Sequence, residues 1–421
     1  MRSLLLLGLI ACGGRVPRPA DATVFPTCVD GELPTPADVP TWSEDVAPLF
    51  AERCMACHQE GGSAPFSLET LDDVVAWDLA VRDAVRERRM PPAAPTNCGA
   101  CRSFQHTRWL TPDEIATVVA FVDAGLPAGP DLHPPEVPPA SVPLPRVDAR
   151  LQPAEAYVPD GDRTDDYHCL VLEPDWPTDR FLTGFAVDPD QVDQVHHVIL
   201  YGTDTDEEAD AVRALDAAEP GAGYTCFGDA GPDGAGMVGV WAPGAPPKVY
   251  PEGTGIRLPA GRPLVLQVHY NLAGGDLPDR SAVALQLAEQ VDREAFVLSV
   301  ANTRFEVPPG EAEVTDVATR RLFGEDVPLR IHGIAPHMHR LGRSLQVEVW
   351  DAEHADCLVD VPRWDFDWQD LFFYEEPVDV RGSHRVAIAC TWDTRGATEP
   401  VTWGDGTADE MCLALLYVTR R

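Results

Sequence analysis

Residues 54–58 read Cys-Met-Ala-Cys-His, and this C-x-x-C-H run constrains the N-terminal part of the chain more than any other feature. Two thiols at this spacing can bond to the two vinyl groups of a haem, and the histidine that follows then lies under the iron as an axial ligand. A redox-active or zinc-binding C-x-x-C pair does not need that histidine. The sequence therefore predicts one covalently bound haem c, held by Cys54, Cys57 and His58.

The first residues predict export. Arg2 precedes an apolar run from Leu4 to Ile10, which is too short to span a bilayer as a mature helix. With Ala11 and Cys12 it resembles the signal of a bacterial lipoprotein, residues 1–12, in which Cys12 becomes the lipidated first residue. An ordinary cleaved signal with an incidental Cys12 is the alternative. Either interpretation predicts an exported protein, and the first predicts a membrane-anchored lipoprotein that faces the periplasm or the cell surface.

Charge and cysteine content limit the partners and the compartment. The chain has 68 acidic and 32 basic residues, a net charge of −36, so it would repel nucleic acid phosphates and no nucleic acid partner is expected. Of the 11 cysteines, one is assigned to the anchor and two to the haem. The other eight can form disulfides in an oxidising compartment.

The chain divides into several predicted parts after the signal. Residues 13–40 are a Pro-rich tether, residues 41–127 a small all-α domain, and residues 128–160 a Pro-rich linker. Beyond the linker the pattern changes to short alternating runs broken by Gly, Pro and Asp, which is typical of β-sandwiches. The fold prediction is thus multidomain, with a helical domain followed by two all-β, jelly-roll-like domains at 161–290 and 291–421.

The helical part resembles class I cytochrome c. Helical patterns run over 43–53 and 71–89, and a third helix is predicted to begin at the capping sequence of Thr111 and to end at Gly125. The resemblance implies a sixth iron ligand, for which Met90 is the candidate and His106 the runner-up; core packing is the other interpretation of Met90. Cys98 and Cys101 are interpreted as one disulfide or as partners of Cys28.

Three histidine-containing segments lie in the β region. His196 and His197 are adjacent, so both can bind one metal only if the strand bulges or ends there, because neighbours in a regular strand point to opposite faces. Gln267 and His269 are two residues apart and share a face. His337 and His339 do the same, and two imidazoles so spaced can bind a single ion.

Residues 165–421 resemble the copper type II, ascorbate-dependent monooxygenases, through the His-His pair, the Leu-Gln-Val-His-Tyr strand, the His-x-His-x-Leu-Gly segment and Asp409-Glu410-Met411-Cys412. The resemblance implies two copper ions in separate sites. It assigns the electron-storing copper to His196, His197 and His269. It assigns the catalytic, dioxygen-binding copper to His337, His339 and Met411, with Gln267 near the substrate, and it implies a Cys390–Cys412 disulfide.

The chain also departs from that family. The peptide-amidating members bind a substrate carboxylate with an arginine before the His-x-His segment and a tyrosine after the methionine. Here Ala335 and Leu415 stand at those positions, so a peptide C-terminus is an unexpected substrate. Tyr417 would share the face of Leu415, which leaves a polar role open. His332 is expected in the core or behind the metal ligands, and His133, His168, His354 and His384 on the surface.

These features predict a copper monooxygenase that hydroxylates a C–H bond of a small organic substrate with dioxygen. The fused haem would pass electrons from a periplasmic donor, or supplement an ascorbate-like reductant, with the Pro-rich linker setting its reach. The alternatives are a periplasmic electron-transfer lipoprotein with a non-catalytic copper-binding scaffold, or a copper-handling protein without turnover.

Overall fold

The computed structural model describes residues 32–92, 95–130, 135–139, 143–226, 228–231, 235–243, 245–352, 354–366, 368–404, 406 and 409–421. The helices are a π-helical turn (Trp42–Val46), α1 (Ala47–Arg53), α2 (Leu71–Arg86), α3 (Pro112–Asp123), α4 (Asp206–Ala218) and a 3₁₀ turn (Leu272–Gly274). The strands are β1 (Ala149–Leu151), β2 (Asp165–Leu172), β3 (Arg180–Asp188), β4 (Val195–Gly202), β5 (Tyr224–Thr225), β6 (Gly236–Trp241), β7 (Lys248–Val249), β8 (Thr254–Leu258), β9 (Leu264–Asn271), β10 (Ala282–Ala288), β11 (Arg293–Ala301), β12 (Glu306–Val307), β13 (Val314–Arg321), β14 (Pro328–Met338), β15 (Gly342–Trp350), β16 (Ala355–Val361), β17 (Phe372–Arg381), β18 (Arg385–Trp392), β19 (Val401–Thr402) and β20 (Cys412–Arg420).

The N-terminal part is helical, as the sequence predicts. Thr111 caps α3 in a capping box with Glu114, and the chain leaves the helix through Gly125 at φ +83°. The second helix ends at Arg86, three residues before the predicted end. Phe50, Met55 and Phe121 are fully buried between these helices, so Met55 belongs to the core.

The β region consists of sheets packed face to face. In the first half, the sheet β5-β2-β9-β4-β6 packs across an apolar core onto β10, β3 and β8. In the second half, the sheet β13-β18-β15-β16 packs onto β11, β20, β14 and β17. Apolar side chains of the facing sheets fill the space between them, which is the sandwich arrangement that the sequence predicts.

One sheet passes through both halves. Among the described strands, β8 pairs in parallel with β11, and this pairing joins the two sets into a nine-strand sheet. The backbone hydrogen bonds between Thr254–Ile256 and Arg293–Ala295 therefore hold the halves together. A continuous sheet keeps the two halves at a fixed orientation, which matters because each half supplies one set of histidines.

The segment before α3 is anchored to the second β half. Phe104 is 1% exposed within the core of that half, and its backbone forms a bridge with Tyr374. A disulfide joins Cys101 to Cys357 in β16, and Cys98 is also disulfide-bonded. The Cys98–Cys101 pairing is therefore wrong. The two positions lie close in sequence, but Cys101 faces β16 because Phe104 is buried in the β core.

This anchoring also changes the expectation for the linker. Besides the disulfide, the Thr96 N–H donates to the Asp360 carbonyl at 2.8 Å and the Gln105 N–H donates to the Phe373 carbonyl at 2.8 Å. In the described part of the linker, Leu144 packs against Ala186 and Ala284. The helical part is thus attached to the β region at several points. The linker alone therefore does not determine how far the helical part lies from the β region.

The proposed signal sequence and most of the tether, including Cys12 and Cys28, lie outside the described residues, as does His133. Within the described part, no helix is long and apolar enough to cross a membrane.

Candidate metal centres

The first histidine set converges at one end of the sheet β5-β2-β9-β4-β6. The pairing of β4 with β9 shifts between Val195 and His197, which is a bulge at His196. The bulge turns both adjacent imidazoles toward His269 on β9. His197 Nδ1 then lies 3.4 Å from His196 Nδ1 and 3.3 Å from His269 Nδ1. Ligand atoms of the three residues all lie within 4.8 Å of one another, a spacing that one ion can satisfy.

The surroundings of His269 orient its ring. Its Nε2 lies 2.9 Å from Asp165 Oδ1, and the Tyr167 ring stacks on it at 4.1 Å between centroids. With its hydrogen on Nε2, the ring donates to the carboxylate and leaves the Nδ1 lone pair directed at the other two histidines. A carboxylate behind a histidine in this way is the usual support of a metal ligand.

Burial keeps these imidazoles neutral. It lowers the pKa of His269 to about 4, with the nearby His196 adding to the shift and Asp165 opposing it. Burial, followed by the neighbouring His269 and His196, holds the pKa of His197 well below its usual value. Neutral imidazole is the form that binds a metal, so protons compete weakly for the site at neutral pH.

The second set lies where β14 ends. His337 Nδ1 lies 2.5 Å from Gln369 Oε1, and His339 Nδ1 lies 3.0 Å from the Asp409 carbonyl oxygen. Both Nδ1 atoms thus donate to oxygen, which leaves both Nε2 lone pairs available to an ion. The ring centroids are 5.2 Å apart. Burial, together with the neighbouring His339, lowers the pKa of His337 to about 3.

Two methionines near this set have opposite orientations. Met338 is fully buried in the core of the second half, as expected for the residue between two histidines that share a face. Met411 lines the same cleft as His337 and His339. Two imidazoles with one thioether suit copper, since the soft sulfur favours Cu(I).

Glu410 and a disulfide support the methionine segment. The Glu410 carboxylate is fully buried and accepts hydrogen bonds from the His339 and Leu341 backbone N–H groups and from Trp392 Nε1. Burial raises its pKa to about 7, against the effect of these donors. A disulfide joins Cys390 to Cys412, next to Met411. These contacts tie the end of β14 to the start of β20.

Both sets open onto one cleft of about 130 Å³. The Phe366 ring lies between the sets, 5.1 Å from the His196 ring and 5.9 Å from the His339 ring. Gln267 lines the cleft beside His269, and its Nε2 donates to the Asp229 carbonyl at 3.0 Å. The remaining lining is mostly apolar.

The two positions that depart from the amidating pattern lie side by side in one wall of the cleft. Ala335 of β14 pairs with Leu415 of β20, and both line the cleft. Tyr417 does not, because its hydroxyl lies 3.0 Å from Thr254 Oγ1 in the core between the sheets. Among the described lining residues, Asp370 is the one acid, and it forms an ion pair with Lys248.

The C-x-x-C-H segment has the groups that haem attachment would require. In the described part of the chain, Cys54 and Cys57 are the free cysteines. His58 is nearly buried, and its Nδ1 lies 3.0 Å from the Phe66 carbonyl oxygen, which leaves Nε2 available as a ligand. Met90 follows α2 and is 38% exposed, so it is not packed in the core. His106 is also exposed.

Two other histidines differ in how well their environments were predicted. His332 is a core residue, with Nε2 2.9 Å from Thr419 Oγ1. His168 was expected on the surface, and this is wrong: its ring is buried, stacks on Tyr157 and lies 2.7 Å from the Ala222 carbonyl oxygen. His354 is exposed and His384 partly so.

Sequence reasoning missed the residues behind the ligands. Asp165 is 104 positions from His269, and Gln369 is 32 positions from His337. Phe366 and Gln369 lie in a segment with no strand or helix pattern. An acid or amide so far from its partner has no local signal; only a correct alignment of β2 against β9 would have brought Asp165 near His269.

Comparison with known proteins agrees with this geometry. Residues 296–419 match the family described as "Copper type II ascorbate-dependent monooxygenase, C-terminal domain". The peptidyl-glycine alpha-amidating monooxygenase of Mus musculus is 26% identical over 270 residues, which are 60% of this chain and 25% of that protein. The enzyme of Rattus norvegicus gives the same figures. Enzyme A of Xenopus laevis is 26% identical over 238 residues, 54% of this chain and 23% of that protein.

This chain spans about a quarter of the length of these relatives. Among solved structures, the major capsid protein P2 of bacteriophage PM2 aligns over 65% of this chain and 97% of its own, at 11% identity and a TM-score of 0.25, which is too low to carry an argument. Residues 296–419 are therefore similar to the C-terminal domain of the copper type II, ascorbate-dependent monooxygenases, and the similarity to the amidating enzymes extends over more than half of this chain.

Proposed function

We propose that this protein is a copper monooxygenase that hydroxylates a C–H bond of a small, apolar organic substrate with dioxygen. The observation that carries the proposal is that two histidine sets meet at one cleft. His197 and His269 of the three-imidazole set line it, and so do His337 and His339 beside Met411. Copper, when bound there, supplies single electrons and activates dioxygen.

The protein's own residues orient and shield the reaction. Asp165 and Gln369 hold His269 and His337 with one nitrogen directed at the metal position. Phe366 stands between the sets and the lining is mostly apolar, which disfavours water there and would protect a reactive oxidant from side reactions.

The cleft also limits the substrate. Its volume of about 130 Å³ is close to the roughly 150 Å³ of an apolar cavity that holds benzene. In the described lining, Ala335 and Leu415 offer no partner for a carboxylate, and Asp370 is already paired with Lys248. The lining thus favours an uncharged reacting group, and the volume is sufficient for one about the size of a six-membered ring.

The C-x-x-C-H segment supports a haem c as electron donor to this site. Burial raises the pKa of the Cys54 thiol to about 12, whereas a redox-active C-x-x-C needs a thiol of lowered pKa. Free thiols at Cys54 and Cys57 beside a nearly buried His58 suit attachment of a haem, with Met90 as sixth ligand. The proposed compartment is the periplasm or the cell surface, with a lipid anchor on Cys12.

The first test is metal content and oxygen consumption of the full chain, matured with haem and loaded with copper. One iron and two coppers are expected, with the copper content falling to one in His196→Ala and in His337→Ala. Dioxygen uptake is expected to rise when small apolar substrates are added. One iron with no tightly bound copper would leave an electron-transfer lipoprotein with a non-catalytic β scaffold.

A second test separates the haem from the coppers. Met90→Ala is expected to slow turnover driven by a reduced cytochrome or another haem-directed donor, and to leave turnover driven by direct chemical reduction of copper unchanged. Equal loss of both activities would refute the role of the haem as donor.

A further inference from the structure

We propose that electrons enter the first copper site through strand β6, with Trp241 as the contact between this strand and the haem edge at Cys57. This inference rests on the proposed function, because it requires a haem on Cys57 and copper on His196, His197 and His269. It adds a specific route, which neither the motif nor the ligand set implies.

The route begins at a cavity of about 530 Å³ between the helical part and the β region. Cys57 of the C-x-x-C-H motif and Ser63 of the segment after it line one side, and Trp241 and Pro246 line the other from β6 and the loop that follows. A thioether bond would hold one edge of the macrocycle within bonding distance of Cys57 Sγ. Because Cys57 lines this cavity, the proposal places that edge beside it.

Strand β6 separates this cavity from the histidine cleft. Trp241 lines the cavity beside Cys57, while its neighbours Val240 and Ala242 line the cleft between the copper sites. Successive side chains of a strand point to opposite faces, so a single strand forms the partition. Trp241 also packs against the apolar core of the first half.

The pairing of β6 leads directly to a proposed copper ligand. Trp241 lies opposite Val198 in the ladder between β6 and β4, and Val198 follows His197 in the chain. Paired residues are about 4.5–5.5 Å apart and consecutive residues about 3.8 Å apart between Cα atoms, so Trp241 lies within about 9 Å of His197. Backbone hydrogen bonds and one peptide unit bridge this distance without a gap.

The electron count of the step is simple. One electron leaves ferrous haem, which becomes Fe(III), and reduces the cupric ion at the first site to Cu(I). No bond is formed or broken and no proton moves. Trp241 acts as a positioning contact that shortens the distance through empty space, because tunnelling through bonded and packed atoms decays more slowly than tunnelling across a void.

The experiment uses the full chain with haem attached and copper in the cupric state. A pulse of a one-electron radical reductant reduces the haem, and its reoxidation is followed by visible absorbance while the Cu(II) EPR signal is recorded. Trp241→Leu removes the ring, and Trp241→Phe keeps a smaller ring on the same core. Trp176→Leu is the matched control, because Trp176 belongs to the same apolar cluster but lines neither cavity.

We expect the reoxidation to be severalfold slower in Trp241→Leu and intermediate in Trp241→Phe, with unchanged haem spectra and Cu(II) EPR signals in both, and an unchanged rate in Trp176→Leu. Wild-type reoxidation rates in both Trp241 variants would overturn the route and leave the proposed function unaffected. If the leucine variant does not fold, a wild-type rate in Trp241→Phe alone would overturn the route. A slowdown explained by lost copper would also count against the route. A wild-type protein that holds iron and copper but transfers no electron between them would refute both the route and the haem as donor.

Discussion

Asp165 offers the sharpest test of the first metal centre, because it touches a proposed ligand without being one. Its carboxylate lies 2.9 Å from His269 Nε2, and the His269 side chain is only 2% exposed. The contact fixes which ring nitrogen carries the hydrogen and makes the other nitrogen a stronger donor to the metal. Without it, burial would lower the pKa of His269 further, since Asp165 opposes the shift.

The size of the effect follows from the kind of contact. Losing a carboxylate behind a metal-bound histidine typically reduces metal affinity by about 10- to 100-fold, or about 1.4–2.7 kcal/mol. Asp165→Asn keeps an oxygen that can accept from Nε2 but removes the charge, so we expect about tenfold weaker copper binding. Asp165→Ala removes the acceptor as well and is expected near the upper end of the range.

The assay is competitive titration of copper against a chelator of known affinity, with EPR to assign each site. Gln369→Ala is the matched control, because Gln369 supports His337 and is expected to weaken the second site instead. The reasoning is wrong if Asp165→Ala binds copper at the first site as tightly as the wild type does, or if it weakens both sites equally.

Three further outcomes are expected. Burial holds the folded-state pKa of His269 at about 4, below its usual 6.5. The free energy of unfolding of the metal-free protein should therefore be unaffected by this group above about pH 6.5 and fall by roughly 3 kcal/mol as the pH drops to about 4. Urea unfolding at a series of pH values measures this, and a flat profile contradicts it. Phe104→Ala should destabilise the second β half by about 3–5 kcal/mol, since Phe104 is buried in its core; chemical unfolding measures this, and a change below about 1 kcal/mol would show that the segment merely rests on the surface. Glu410→Leu leaves three buried N–H donors without an acceptor, each costing about 1–3 kcal/mol, so a large loss of stability and of copper at the second site is expected; a melting temperature like that of the wild type would contradict it.

Much of the fold follows from local patterns. The capping sequence at Thr111 predicts the start of α3, because the side-chain and backbone groups that satisfy the helix end lie within four residues. The alternation of apolar residues predicts strands, because the period of a strand is local as well. The pairing of Cys101 with Cys357 and the burial of His168 were not predictable, since both depend on which distant strand lies alongside.

The order of residues along the chain already specifies which chemical groups are available: a C-x-x-C-H motif, two histidine pairs, a histidine two residues after Gln267, and a late methionine. It also indicated that His196 and His197 can act together only through an irregular strand, because side-chain direction is set by local backbone geometry. The packing of distant strands brings the two ligand sets to one cleft, places Asp165 and Gln369 behind the ligands, and runs β6 between the cleft and Cys57. Those relations depend on strand register and sheet packing over 30 to 250 residues, and no local pattern encodes contacts at that separation.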